Sequence, residues 1–497
     1  MMRKDSLFLT FAASACAVAA LLTWSVPSQG QASGPASLTC TNTPPPDTNR
    51  AASPPVPTPV TSALLATALP CAENVSGNGL FKDDQLANFQ RGFDFYSWLT
   101  FLALNAPADG SGIEKSKPDS KAKWEDAINF APLLDVMLPG AAKPEWNKKT
   151  VPAECSAQYT PGTMVIEMIE ETFNQPFKTG ALIDQQGNYA LFDILMNKQM
   201  FDYVVLHGLY SKAVQMSPEK ATLKIDFPAG TNAGAPGEVG AVMIKVSWKV
   251  LGPADDKAKF HNVDALVLMP RHEGGPAPLC VRQTLGLIGY HIGHKTVGRL
   301  QWIWSSFEHV DNVPEQRDVE GGKATGRYSF YDPSCDPSKC PVNQTPPRPW
   351  DPVPGNGLKF HSAFKSQITR TIPLTDQTKD LNKLFQTALK DTVWKNYMLL
   401  STQWPSEFLC ARGATTGEPP PATDFEKQPD MTCAPAPTYL ANSTLETYSQ
   451  GSVPLASSSC MSCHGNAVSY QQRPPTAKPG EKFFNQSDFT FMLEKAR

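Results

Sequence analysis

The sequence predicts an α+β fold: a β-sheet core of sandwich-like form, helices at its periphery and long Pro-rich loops between them. Three observations carry this. Val242, Ile244, Val246, Trp248 and Val250 alternate with Met243, Lys245, Ser247 and Lys249, the period of a strand. Apolar residues recur at three- and four-residue spacing in two other segments, the period of a helix. The 46 prolines gather in the stretches between these patterns.

Taken in order, the first helix spans Asp84 to Leu104, with Asp83 or Asp84 as its cap and Leu86, Phe89, Phe93 and Tyr96 on one face. Leu182 to Met196 reads as a hairpin turning at Gly187-Asn188. Val242 to Val250 is a half-buried strand with one wet face. Val263–Met269 and Gln301–Val310 are further strands. A second helix runs from Thr375 to about Thr392, with Leu381, Leu384, Phe385 and Ala388 together. Residues 311–357 and 405–440 are loops rich in Pro, Gly and Asp.

The organisation follows from composition. Arg3 and Lys4, the apolar stretch from Leu7 to Trp24, and Gly30-Gln31-Ala32 have the three parts of an export signal, so residues 1–32 read as a signal peptide. A retained membrane anchor is the competing reading of that stretch. Residues 33–70, with Pro44-Pro45-Pro46 and Ser53-Pro54-Pro55, form a Pro-rich linker or arm. An α+β body follows over 71–435, and a C-terminal segment over 436–497 packs on it. No later segment is apolar enough to span a bilayer, so no stable membrane insertion is expected after cleavage. A net charge of −3 argues against nucleic acid as the main partner.

Cysteine usage agrees with export to a periplasmic or secreted destination. Of eleven cysteines, Cys16 falls in the signal and Cys460 and Cys463 in a motif described next, leaving eight. An even count in an oxidising compartment reads as up to four disulfides, of which Cys410–Cys433 would close a Pro-rich loop.

Cys460-Met461-Ser462-Cys463-His464 is the most specific signal in the chain. Two thiols separated by two residues reach the two vinyl groups on one edge of a porphyrin, and the next residue is placed beneath the iron. Composition alone produces this pattern in roughly four chains per thousand. One covalent haem c is therefore expected, with Cys460 and Cys463 as attachment points and His464 as proximal ligand. A zinc site would want a second Cys/His pair, and none follows in the remaining 33 residues. Those 33 residues are also too few to wrap a haem, so the body must supply the pocket. Ser443-Thr444-Leu445-Glu446 reads as a capping box opening a short helix before the motif. Phe483, Phe484, Phe489, Phe491, Met492 and Leu493 form an aromatic tail placed to close over one haem face, or to fill core.

For the sixth ligand, three of the eight histidines cluster between Gly286 and Asn312. His294 is the first candidate and His309 the second, with Met492 a third. If Leu285–His294 is a strand, His291 and His294 point to opposite faces; if helical, they share one. Two other readings stand beside this: a separate metal held by His291, His294 and His309 or Glu308, and hydrogen-bonded core histidines.

The block from Gly286 to Asn312, with Phe95-Tyr96-Ser97-Trp98-Leu99-Thr100-Phe101-Leu102-Ala103-Leu104-Asn105 and Thr444-Leu445-Glu446-Thr447-Tyr448…Ser459-Cys460-Met461-Ser462-Cys463-His464-Gly465, resembles a group of exported bacterial single-haem proteins, the "cytochrome c family" proteins. The resemblance covers roughly residues 80–497. It implies covalent haem at Cys460 and Cys463, ligation by His464 and electron transfer to a redox partner protein. An enzymatic alternative, a haem oxidase or peroxidase with an open sixth position, and a haem-based sensor module remain beside it.

Overall fold

The computed structural model describes residues 38–41, 60, 65, 68–73, 83–231, 237–269, 278–353, 356–405, 435–451, 458–471 and 487–497. Two short strands, β1 (Cys40–Thr41) and β2 (Leu69–Pro70), pair in parallel beside the Cys40–Cys71 disulfide. Helix α1 (Asp83–Asn105) follows, then β3 (Phe130–Pro132), β4 (Met164–Glu167), β5 (Leu191–Asn197) and helix α2 (Lys198–His207). The central strands are β6 (Val242–Val250), β7 (Asn262–Met269), β8 (Leu279–Thr296) and β9 (Arg299–His309). Helix α3 (Asp376–Ala388), β10 (Tyr397–Pro405), β11 (Pro435–Ala436) and the single turn α4 (Cys460–His464) complete the set used below.

Nine strands form one sheet in the order β11-β10-β9-β8-β6-β5-β3, with β7 also on β8 and β4 on β7. The organising element is β8. One edge of it pairs antiparallel first with β7 and then with β9, and the other edge pairs antiparallel with β6 over Leu285–His294. Eighteen residues of strand let one segment hold β7 and β9 in succession on the same side.

Side-chain alternation then sorts the sheet into two faces. On one, Tyr290, Ile292, Phe307 and Leu399 meet Phe95, Trp98, Phe101 and Leu102 of α1 in the main core. Phe101 stacks on Phe307 at 4.3 Å, and Trp98 stacks on Phe385 of α3 at 4.7 Å. A helix so apolar on most sides is stable only when buried, and here α1 is the second layer. Asp94 ties the layers together, accepting from Gln90, Thr378 and the Thr402 N–H.

The second face carries Met243, Lys245 and Ser247 of β6, Gly289, His291 and Gly293 of β8, and Trp304, Ser306 and Glu308 of β9. They lie in rows, since Gly293 faces Met243 and Trp304, His291 faces Lys245 and Ser306, and Gly289 faces Ser247 and Glu308. The C-terminal segment covers this face. Ser443 donates to the buried Glu308 carboxylate through its hydroxyl (2.5 Å) and its N–H (3.3 Å), and Arg370 pairs with the same carboxylate. Asn442 donates to the Phe307 carbonyl at 2.9 Å, and Thr444 shares a hydrogen bond with Ser247 at 2.7 Å.

Several expectations change on this evidence. The α+β class holds; among the described residues the sheets are the β1–β2 pair and the nine-stranded sheet, and helices and irregular segments form the layers on the larger one. The predicted wet face of Val242–Val250 is covered, because the C-terminal segment lies on it. The Gly187-Asn188 turn is present, with Gly187 at φ 82°. Its first arm contributes only the Ile183–Tyr189 bridge, since β5 pairs with β3 and β6 instead. Residues 443–446 form turns rather than a helix. Glu446 does reach back to a backbone N–H, but to that of Asn442. Helix α3 ends at Ala388, and Thr392 caps a separate short turn over Val393–Asn396.

Disulfides Cys40–Cys71, Cys155–Cys280 and Cys335–Cys340 are formed. They suit an oxidising compartment. The expected Cys410–Cys433 bridge, the signal peptide and Phe483 and Phe484 lie outside the described residues. Among those described, no helix is long and apolar enough to cross a membrane.

Gly289 is a direct test of the docking. A Cβ there would lie 2.2 Å from the Thr444 hydroxyl and 2.4 Å from that of Ser247. Gly289→Ala is expected to destabilise the protein by about 1–3 kcal/mol through overpacking, read as a lower urea midpoint.

Candidate functional site

The motif Cys460–His464 is one turn of helix, held at its start by side-chain caps. Ser459 accepts from the Ser462 N–H at 3.2 Å. Gln403 of β10 accepts from the Ser459 hydroxyl (3.1 Å) and the Met461 N–H (2.8 Å). A helix this short has no propensity of its own to persist, so the sheet supplies its position.

The turn forms one wall of a cavity of about 500 Å³, within the range of cofactor pockets. Cys460, Cys463 and His464 all line it, with Ile194, Met243, Lys245, His291, Gly293 and Trp304 from the sheet, and Phe491 and Met492 from the aromatic tail. Cys460 and Cys463 are free thiols, not a disulfide. Burial, and then the Glu446 carboxylate, push the Cys463 thiol up to about 12, and Cys460 shifts the same way. Low-pKa redox thiols lie in the opposite direction.

His464 is fixed on all sides. Its ring packs against Trp304 at 4.4 Å and against the edge of Phe491 at 5.2 Å. Its Nδ1 lies 2.8 Å from the Phe489 carbonyl. A carbonyl only accepts, so Nδ1 carries the proton and Nε2 keeps its lone pair. That is the arrangement of a metal-binding imidazole whose second nitrogen is oriented from behind. Burial drives its pKa down to about 4, so the ring is neutral.

The donor set fits a porphyrin better than a bare ion. Among the described residues, no three of His, Cys, Asp and Glu converge as ligands of one metal ion. Two thiols and an imidazole spread along the wall of a mostly apolar cavity instead suit a macrocycle held at its edge and beneath its centre.

The predicted sixth-position candidates separate. Met492 lines the cavity, but neither His294 nor His309 does. His294 is a strand residue on the α1 face, where Nδ1 pairs with the Tyr96 hydroxyl at 2.5 Å, and burial takes it down to about 3. His309 uses both nitrogens: Nε2 donates to the Lys259 carbonyl (3.0 Å) and Nδ1 accepts from the Asp311 N–H (3.1 Å). It also stacks on Phe260 at 4.1 Å, and burial lowers its pKa to about 4. Both are core histidines. The separate-metal reading fails for the same reason, because His291 stands on the other face of β8 from His294.

His291 is the histidine that the sheet delivers to the cavity, and it was not among the sixth-ligand candidates. The signal for it was the spacing Gly289-Tyr290-His291-Ile292-Gly293. Strand parity with Gly289 and Gly293 puts it on the face where neighbouring groups approach the sheet closely, the Thr444 hydroxyl at Gly289 and the Met243 side chain at Gly293. Its Nε2 lies 3.3 Å from Glu446 and 3.4 Å from the Ser306 hydroxyl. Lys245, its neighbour across the strands, brings a positive charge to the same wall. For Glu446, burial pushes the carboxyl up, but His291, Lys245 and the Asn442 N–H outweigh it and leave it at about 2.

No family model, curated protein or solved structure matches the chain.

The Glu446 shift has a pH signature. A carboxyl at about 2, against an ordinary value of 4.5, stabilises the fold fully above 4.5, and this is lost as pH falls through about 2. Glu446→Gln is expected to lower stability at about pH 5, where the Glu446 carboxylate is charged. The gap from the parent should close towards pH 2, as followed by urea unfolding at each pH.

Proposed function

We propose that this chain is an exported single-haem c-type cytochrome that passes single electrons to a redox partner protein. The observation that supports it most is the joint placement of Cys460, Cys463 and His464 on one cavity wall, with the His464 Nδ1 proton already committed to Phe489. When bound, the haem supplies a one-electron redox centre. The chain's own contributions are specific. Cys460 and Cys463 would form the two thioethers, and His464 would ligate through Nε2. Trp304 and Phe491 hold that imidazole between them. Met243, Ile194 and Gly293 give the sheet side of the cavity an apolar stretch, while Lys245 would offer a cation for a haem carboxylate. Met492 and His291 are the side chains available for the sixth position. Disulfide content and the sequence of residues 1–32 support a periplasmic or secreted setting.

One observation favours a second reading, a haem oxidase or peroxidase: the His291–Glu446 pair opens onto the same cavity and could move protons there. Spectroscopy separates the two. Six-coordinate low-spin haem indifferent to peroxide and CO supports electron transfer, whereas high-spin haem that reacts with peroxide supports the enzyme.

Protein exported in a host competent for haem attachment is expected to give a two-thioether pyridine haemochrome spectrum. Cys460→Ala or Cys463→Ala should each remove one thioether, and the double variant should carry no covalent haem. An intact mass without an added prosthetic group in the parent would overturn the reading. Among the sixth-position candidates, Met492→Ala or His291→Ala should convert the low-spin spectrum, whereas His294→Ala should leave it unchanged.

A further inference from the structure

Behind His464 lies a buried charged pair that the electron-transfer reading does not use. Asp488 and Phe489 are consecutive non-glycine residues with left-handed backbones, at φ 50° and 63°. Such a pair persists only where its surroundings hold it. The holding groups come from the sheet body. Asp488 Oδ2 accepts from Lys295 Nζ at 2.6 Å and from the Phe227 N–H at 2.7 Å, and Oδ1 faces the Trp302 indole N–H at 3.4 Å. Lys295 is 1% exposed, at the end of β8, and also pairs with Asp226. The residue directly after Asp488 presents its carbonyl to His464 Nδ1.

We infer that Asp488 and Lys295 are positioning residues for His464: the ion pair fixes the turn that aims the Phe489 carbonyl at Nδ1, and so sets how strongly the imidazole donates at Nε2. This rests on the haem reading above. A buried ion pair is a poor source of stability compared with packed apolar groups. What it supplies is direction, since one carboxylate gathers donors from β8, β9 and the Phe227 segment and leaves the next carbonyl a single orientation. A firm Nδ1–H···O=C bond makes the imidazole a stronger donor, which favours oxidised iron and lowers the reduction potential. Loosening the turn raises it.

The test uses the full-length exported protein, with covalent haem verified by its haemochrome spectrum, and the variants Asp488→Asn and Lys295→Met. The two remove charges of opposite sign. A pure field effect therefore moves the potential up in the first and down in the second. Positioning moves it up in both, and in both the His464 Nδ1 proton of the reduced protein, observed by ¹⁵N-resolved NMR, exchanges faster with solvent. Potentials that move in opposite directions, or that stay at the parental value with unchanged proton exchange, overturn the inference. If one variant does not fold, the exchange rate in the other decides. A parent without covalent haem would instead sink the cytochrome reading. The His464 ¹⁵N shifts of that haem-free chain would still report on positioning: Nδ1-protonated in the parent and a tautomer mixture in the variants.

Discussion

The buried carboxylate of Glu308 is the contact on which the site depends. The C-terminal segment packs on the second face of the sheet, and Glu308 is where it is fastened. Ser443 and Arg370 satisfy the charge from two directions. A charge at that depth would be prohibitive without them. With Ser443 fixed, Asn442 and Thr444 register against β9 and β6, Leu440 and Gln403 lead to Ser459, and the motif turn arrives over Trp304. Any looseness at Glu308 would be passed along this chain to the cavity wall.

The sheet makes room for this in a specific way. Both faces of β6 and β8 are covered, yet by different material: a long apolar helix on one side, irregular polar chain on the other. Glycines at 289 and 293 thin the second face where that chain has to approach. The bulges between Ser247 and Trp248 and between Leu399 and Ser401 adjust strand direction along it. The result is a wall in which Trp304, His291 and Lys245 stand out between low points.

Much of the fold was legible in the sequence. Period-two alternation located β6, and period-3.6 spacing located α1 and α3, because each of these segments buries a continuous face; β7 and β9 were also read as strands. Elements stabilised by distant partners were not legible. The Ser443–Glu446 pattern has the letters of a helix start, but Glu308 and Ser247 take the side chains that would have capped it. The nine-stranded sheet was read as sandwich-like because alternation reports that a face is covered, not what covers it. At the site, the thiols and His464 were evident from spacing alone. The cavity histidine was not, for a geometric reason: strand parity separates His291 from His294, and choosing the more apolar neighbours selected the α1 side. An imidazole among Tyr290, Ile292 and Phe307 is surrounded by core, whereas His291 lies on the opposite face, which borders the cavity.

Seating of the motif turn has a bearing on the order of events in biogenesis. Cys460 is only 8% exposed once the segment is docked, and the residues that bury it come from strands made far earlier in the chain. On the cytochrome reading, an attachment apparatus working from outside would need that sulfur before docking. Assembly would then run in one direction: the sheet folds first, the motif segment is loaded before it docks, and closure onto Glu308 seals the product. A polypeptide that closed early would present a finished surface with its attachment point hidden.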